Sequence, residues 1–235
     1  MTESEWQTGS SLAAMLAHVR ARTSPRKLRL FACACVRLVW PLLIDETSQK
    51  AVEAAEQFAD GLIGAADLAL TEVAAFDIAT MADLRTTVSD PGWAATRAAA
   101  RSANLDPFTA ASGAAFAASL AAAPWTFDST GSVINRGDPV DKESIYLTQC
   151  DLLREIVGNP FQPVSLESAR LAWDHAVIPR LAHDIYHTRR FRELSVLADA
   201  LDDAGFPPGA LIEHLRQPAG HTRGCWALDL LLGRS

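Results

Sequence analysis

Apolar residues recur along this chain at spacings of three and four, the period of a helix face, and hardly anywhere at the spacing of two that marks a strand. Leu28, Phe31, Cys35, Leu38 and Leu42 form one such stripe, opened by Ser24 as an N-cap and Pro25 in the first turn, and Pro41 kinks or ends it. Asp45 caps a second helix, with Ala51, Val52, Ala55, Phe58 and Ala59 on its apolar side and Glu46, Lys50, Glu53 and Glu56 on its wet side; Asp60-Gly61 closes it. A third helix is predicted over about 65–87, carrying Leu68, Val73, Phe76, Met81 and Leu84. Asp90-Pro91 and Asp106-Pro107 each place a cap before a first-turn proline. Between and after them lies an alanine-rich region, 94–123, that reads as a closely packed helical hairpin, since alanine combines the best helix propensity with little bulk.

Residues 124–140, with Pro124, Gly131, Asn135, Gly137 and Pro139, have turn composition and no apolar period, which predicts a linker loop. A helix follows over about 140–157 with Ile145, Leu152, Leu153 and Ile156 inward, ended by Gly158-Asn159-Pro160. Shorter helices are predicted over 176–187, 191–204 and 208–216, and a last one begins near Thr222 and ends at Gly233. Alternating β-branched runs are missing, so no strand is predicted. The expected fold is all-α, an irregular multi-helix bundle of about eight to ten helices in two halves, 1–123 and 141–235.

A chain of 235 residues that is 49% hydrophobic fills one large core or two smaller ones without disulfides or metal. A net charge of -7 argues against bulk attraction to nucleic acid. The charge is uneven: Arg20, Arg22, Arg26, Lys27, Arg29 and Arg37 crowd the start, and acids dominate 45–90. The stretch Met1-Thr2-Glu3-Ser4-Glu5-Trp6 lacks the features of a signal peptide, so a cytoplasmic location is expected. The weakly polar run 108–123 is mostly alanine broken by Thr109, Ser112, Gly113 and Ser119, which predicts no membrane helix. Cys33, Cys35, Cys150 and Cys225 are expected as reduced thiols. No phosphate loop, dinucleotide fingerprint, nucleophile elbow or kinase signature occurs, and no cofactor is expected.

Candidate chemistry crowds the last forty residues. With Thr222 as N-cap, Cys225 would lie in the first turn of the final helix, where the dipole lowers a thiol pKa. His221 would be its base and Asp229, one turn on, an orienting acid. The competing account, which we prefer, packs Cys225, Leu228 and Leu232 into the core and Trp226 over a neighbouring helix.

Two histidine sets raise metal binding: His183 and His187 at i, i+4 beside Asp184, and His214, His221 with Cys225. The first reads as a solvated face and the second needs a loop folded back on itself, so no metal is expected. Asp199, Asp202 and Asp203 read as an exposed helix face. The basic helix with Trp40 reads as solvated and paired with the acidic 45–60 segment, or as a contact for phosphate or an acidic partner.

Four segments carry a likeness: Lys27 to Cys35, Asp151 to Phe161, Leu197 to Gly205, and Arg223 to Gly233. In them the chain resembles a family of uncharacterised helical proteins abundant in planctomycete bacteria. The likeness covers both ends and is weakest across the alanine-rich middle. That family often places a cysteine after the glycine of the Asp-Ala-Gly segment, where Phe206 stands here. The resemblance implies one helical folding unit and no particular activity.

The functional expectation is a cytoplasmic, non-catalytic interaction or regulatory module that binds a protein partner. Arg26, Arg29, Arg37, Trp40, Arg223 and Trp226 are the candidate contact residues. The alternatives are an enzyme centred on Cys225, His221 and Asp229, and a nucleic-acid-associated protein acting through the basic first helices.

Overall fold

Three of the caps read from the sequence, Ser24, Asp45 and Asp106, form as hydrogen bonds, and the Asp90 cap lies outside the described residues. In the computed structural model Ser24 Oγ accepts from the Lys27 amide at 3.3 Å, Asp45 Oδ1 from Ser48 at 2.9 Å and Asp106 Oδ1 from Thr109 at 2.7 Å. The structure describes residues 1–85, 91–122, 125–127, 133–135, 139–166, 173–218 and 220–234. Among these the chain forms α1 (Glu3–Thr8), α2 (Leu12–Val19), α3 (Pro25–Leu38), α4 (Glu46–Ala59), α5 (Ala65–Arg85) and α6 (Pro91–Ser102). Then come α7 (Pro107–Ala122), α8 (Pro139–Val157), α9 (Trp173–Thr188), α10 (Leu194–Asp203), α11 (Ala210–Leu215) and α12 (Trp226–Leu231). Single 3₁₀ turns lie at Trp40–Leu42 and Phe191–Glu193. The fold is all-α.

Several elements differ from the sequence reading. Helices α1 and α2 were not predicted; α1 opens with a capping box in which Glu5 N donates to Thr2 Oγ1 at 3.2 Å and Thr2 N to Glu5 Oε2 at 2.7 Å. Within the stretch read as a loop, β1 (Trp125–Phe127) pairs antiparallel with β2 (Val133–Asn135), a ladder too short to change the fold class. The final helix starts at Trp226, because Gly224 takes a φ of +90° and Cys225, the N-cap, is non-helical at φ -42°, ψ 125°. The parts of the linker and of the predicted third helix at 86–90, 123–124, 128–132 and 136–138 lie outside the described residues.

The turn composition of 124–140 points to a division there. Contacts instead divide the chain inside α8, into one unit of Met1 with Thr8–Cys150 and a second of Thr2–Gln7 with Asp151–Ser235.

In the first unit α3 is the central helix, with Leu28, Leu30, Phe31, Cys33, Cys35 and Val36 buried and α4, α6 and α7 packed around it. The alanines allow this: Ala94, Ala95, Ala98 and Ala99 of α6 and Ala110, Ala111, Ala114 and Ala118 of α7 are all buried where the two helices meet each other and α3. The basic face of α3 is not the solvated surface the sequence suggests. Arg29 is 2% exposed and donates to the carbonyls of Ser102 (3.2 Å) at the end of α6 and of Asn104 (2.6 Å) and Leu105 (2.9 Å) in the turn that follows. Arg26 pairs with Asp60 at 3.1 Å, and Arg37 pairs with Glu56 at 2.8 Å and lies over the Trp40 ring. The pairing with the 45–60 segment therefore forms.

The second unit packs α9 with α10 and α12, and α11 with α10 and α12. Its core holds Ile178, Ile185, Tyr186, Leu194, Leu197, Leu201, Ile212, Leu215, Cys225, Leu228 and Leu231. Helix α1 is fastened to the end of α8: buried Trp6 donates Nε1–H to the Gly158 carbonyl at 3.1 Å, and Arg154 Nε donates to the Trp6 carbonyl at 2.8 Å.

Candidate functional site

Three parts of the second unit converge on one buried point. The last turn of α8 supplies Glu155, the short α11 supplies His214, and the connection 216–225 supplies His221 and the N-cap residue Cys225. Glu155 Oε2 lies 3.0 Å from His214 Nε2, and its Oε1 lies 3.2 Å from His221 Nδ1. His214 Nε2 also lies 3.3 Å from Cys225 Sγ. One ligating atom from each of the four residues falls within 4.8 Å of every other, and they are the only such group of three or more found among the described residues. Cys225 is fully buried, and the His221 side chain is 3% exposed.

The local sequence explains the convergence. Gly158, at φ +76°, lets Trp226 lie against bare backbone at the end of α8. The Trp226 ring in turn sits 5.0 Å from that of His214, and the His214 ring 5.0 Å from that of His221, centroid to centroid. Gly224 takes a positive φ immediately before Cys225, whose Sγ lies 3.3 Å from His214 of α11. The second ring nitrogen of His221, Nε2, faces the Gln217 carbonyl at 3.1 Å and fixes the ring plane.

The electrostatics follow from burial and proximity. Burial alone would push the Glu155 carboxyl up, but hydrogen bonds and charge from the two imidazoles outweigh it and hold the group below its ordinary value. Burial disfavours a charged His221, yet the Glu155 carboxylate beside it outweighs that and raises its pKa. The Cys225 thiol is driven well above its ordinary value, first by burial and then by the Glu155 charge.

The proposed catalytic arrangement does not form as read. The imidazole facing Cys225 Sγ is His214, and His221 turns to Glu155 instead. The thiol sits at an N-cap but is buried with a raised pKa, so the expected activation by the dipole is reversed. Asp229 is buried on α12 and is not among the four converging groups. Arg223 and Trp226, read as partner contacts, are engaged within their own unit, Arg223 over the Tyr186 ring at 4.9 Å and Trp226 against Gly158 and His214. His183 and His187 place their rings 4.1 Å apart and gather no third ligating group among the described residues.

Glu155 is the residue that sequence reasoning missed. Its signal is faint: an acid between Leu153 and Ile156, at the edge of the inward stripe of α8. A surface depression of about 360 Å³ bounded by Arg189, Arg190, Phe191, Arg192 and Glu193 also reaches His221. No family model, no curated protein and no solved structure matches the chain. No helix of the described residues is long and apolar enough to cross a membrane.

Proposed function

We propose that this chain is a cytoplasmic, non-catalytic helical interaction module that receives an amphipathic helix of a protein partner on the outward face of α5. One observation carries the reading: α5 is apolar on two sides. Leu68, Ala75 and Ala79 face inward and are buried, while Leu70, Val73 and Met81 are 70%, 61% and 53% exposed. Large apolar side chains clustered on the exposed face of a helix mark a surface for a partner. The outward residues Ala66, Leu70, Val73 and Asp77 follow spacings of four, three and four, the seam that a second helix fills. Asp77 within that seam and exposed Asp67 beside it favour a partner helix bearing basic residues.

Two observations support this reading over its alternatives. A buried thiol with a raised pKa suits packing better than nucleophilic attack. The α3 cations that would meet nucleic acid are directed elsewhere, Arg26 to Asp60, Arg37 to Glu56 and Arg29 to backbone carbonyls.

The test places a photo-crosslinking amino acid at Val73 in cells and compares it with the same group at exposed Glu53 of α4. The reading expects a discrete adduct at Val73, absent at Glu53 and abolished by Leu70→Asp. Equal labelling at both positions would refute it.

A further inference from the structure

We propose that Glu155, His214, His221 and Cys225 bind one zinc ion as a closed, four-coordinate structural site. The inference rests on the second unit alone and is independent of the partner proposed for α5.

Geometry is the first argument. Zinc bonds of about 2.0–2.3 Å in a tetrahedron separate ligand atoms by about 3.3–3.8 Å. The separations here bracket that range: 3.0 Å from Glu155 Oε2 to His214 Nε2, 3.2 Å from Glu155 Oε1 to His221 Nδ1, 3.3 Å from His214 Nε2 to Cys225 Sγ, and one ligand atom from each residue within 4.8 Å of every other. Side-chain adjustments of a few tenths of an ångström to about one ångström close the site.

Donor chemistry is the second. Magnesium and calcium take oxygen ligands, whereas one thiolate, two imidazoles and one carboxylate form a set suited to zinc. Four protein donors leave no open position for water or substrate, which is the pattern of a structural rather than a catalytic site.

Hydrogen bonding is the third. Both nitrogens of His221 face acceptors, Nδ1 toward Glu155 and Nε2 toward the Gln217 carbonyl. A neutral ring has one N–H and satisfies one of them. A protonated ring satisfies both in the metal-free protein; with an ion at Nδ1, Nε2–H still donates to the Gln217 carbonyl, the orienting contact that ligating histidines usually make. Binding replaces the Cys225 Sγ proton and any proton on His214 Nε2 or His221 Nδ1 with bonds to zinc, and those protons leave to solvent. The carboxylate and thiolate then balance the ion's charge where burial makes unbalanced charge costly.

The local fold shows what the ion would hold. Helices α11 and α12 are six residues each, far below the length at which a helix is stable alone, and the described residues between them, 216–218 and 220–225, form no helix or strand. Zinc would fasten both to the last turn of α8.

The test strips the full chain with a chelator and titrates it with cobalt(II). The expected result is one ion per chain, with the visible bands of tetrahedral cobalt and a thiolate-to-cobalt charge-transfer band, all displaced by one equivalent of zinc. Cys225→Ser should abolish the charge-transfer band although Cys33, Cys35 and Cys150 remain. Glu155→Gln, which keeps size and polarity, should weaken binding about 100-fold or more and carries the test if Cys225→Ser does not fold. Absence of binding, a six-coordinate spectrum without the thiolate band, a band that survives Cys225→Ser, or unchanged affinity in Glu155→Gln would each overturn the proposal.

Discussion

Trp226 lies against the bare α-carbon of Gly158: a Cβ built there would come 3.0 Å from Trp226 Cγ, at a backbone φ of +76°. The contact joins the end of α8 to the start of α12 beside the acid, imidazole and thiol cluster. Gly158→Ala meets two penalties, strain in the left-handed region and a clash with an aromatic ring. It should lower stability by about 1–3 kcal/mol. Denaturant unfolding of the variant checks this, and an unchanged midpoint would mean the ring yields freely.

The Glu155–His221 pair gives the metal-free protein a pH signature. The His221 pKa is raised above its ordinary 6.5, so its contribution to stability is complete below about that pH and is lost as pH rises through the raised value. The Glu155 pKa is held below its ordinary 4.5, so its contribution is complete above about that pH and is lost as pH falls through the lowered value. Stabilisation by this pair should therefore be greatest between roughly pH 4.5 and 6.5. Thermal melts of the chelator-treated chain across that range test it. Glu155→Gln should flatten the profile, and a profile unaffected by that change would contradict the assignment.

Arg29 spends its donors on three backbone carbonyls, at the end of α6 and in the turn that follows, while buried in the first unit. Arg29→Met leaves those acceptors unpaired and should destabilise the protein by about 3 kcal/mol. Arg29→Lys should recover only part of it, since a single ammonium cannot span the same fork. If Arg29→Met were neutral in denaturant unfolding, the capping role would be wrong.

In the metal-free protein Cys225 should react with iodoacetamide at neutral pH more slowly than an unstructured peptide cysteine, because the thiol is buried and its pKa raised. Mass spectrometry of the labelled protein, resolved by peptide, reads the rate at each cysteine. Rapid selective labelling at Cys225 would revive the nucleophile reading.

Much of the fold was legible because it is local. Ser24-Pro25 and Asp45 start α3 and α4 through bonds to amides three residues on, and Ala94 to Ala121 packs as alanine should. Helix α1 was legible too, in Thr2 and Glu5, but six residues show no apolar stripe to draw attention to the box. Helix α5 misleads because Val73 and Met81 share an apolar pattern with Leu68, and periodicity cannot say which side of a doubly apolar helix faces in. The cluster was legible only in part. His214, His221 and Cys225 lie close in sequence, but Glu155 reaches them across 66 residues in the case of His221, a closure that no local pattern encodes. The burial of Arg29 was hidden for the same reason, since its carbonyl partners lie 73 to 76 residues away.

The most direct test of the shared centre is the X-ray absorption spectrum at the zinc edge of the full chain reconstituted with one equivalent of zinc. The account predicts a first shell of one sulfur at about 2.3 Å and three nitrogen or oxygen neighbours at about 2.0–2.2 Å. A shell containing no sulfur, or more than one, would contradict it.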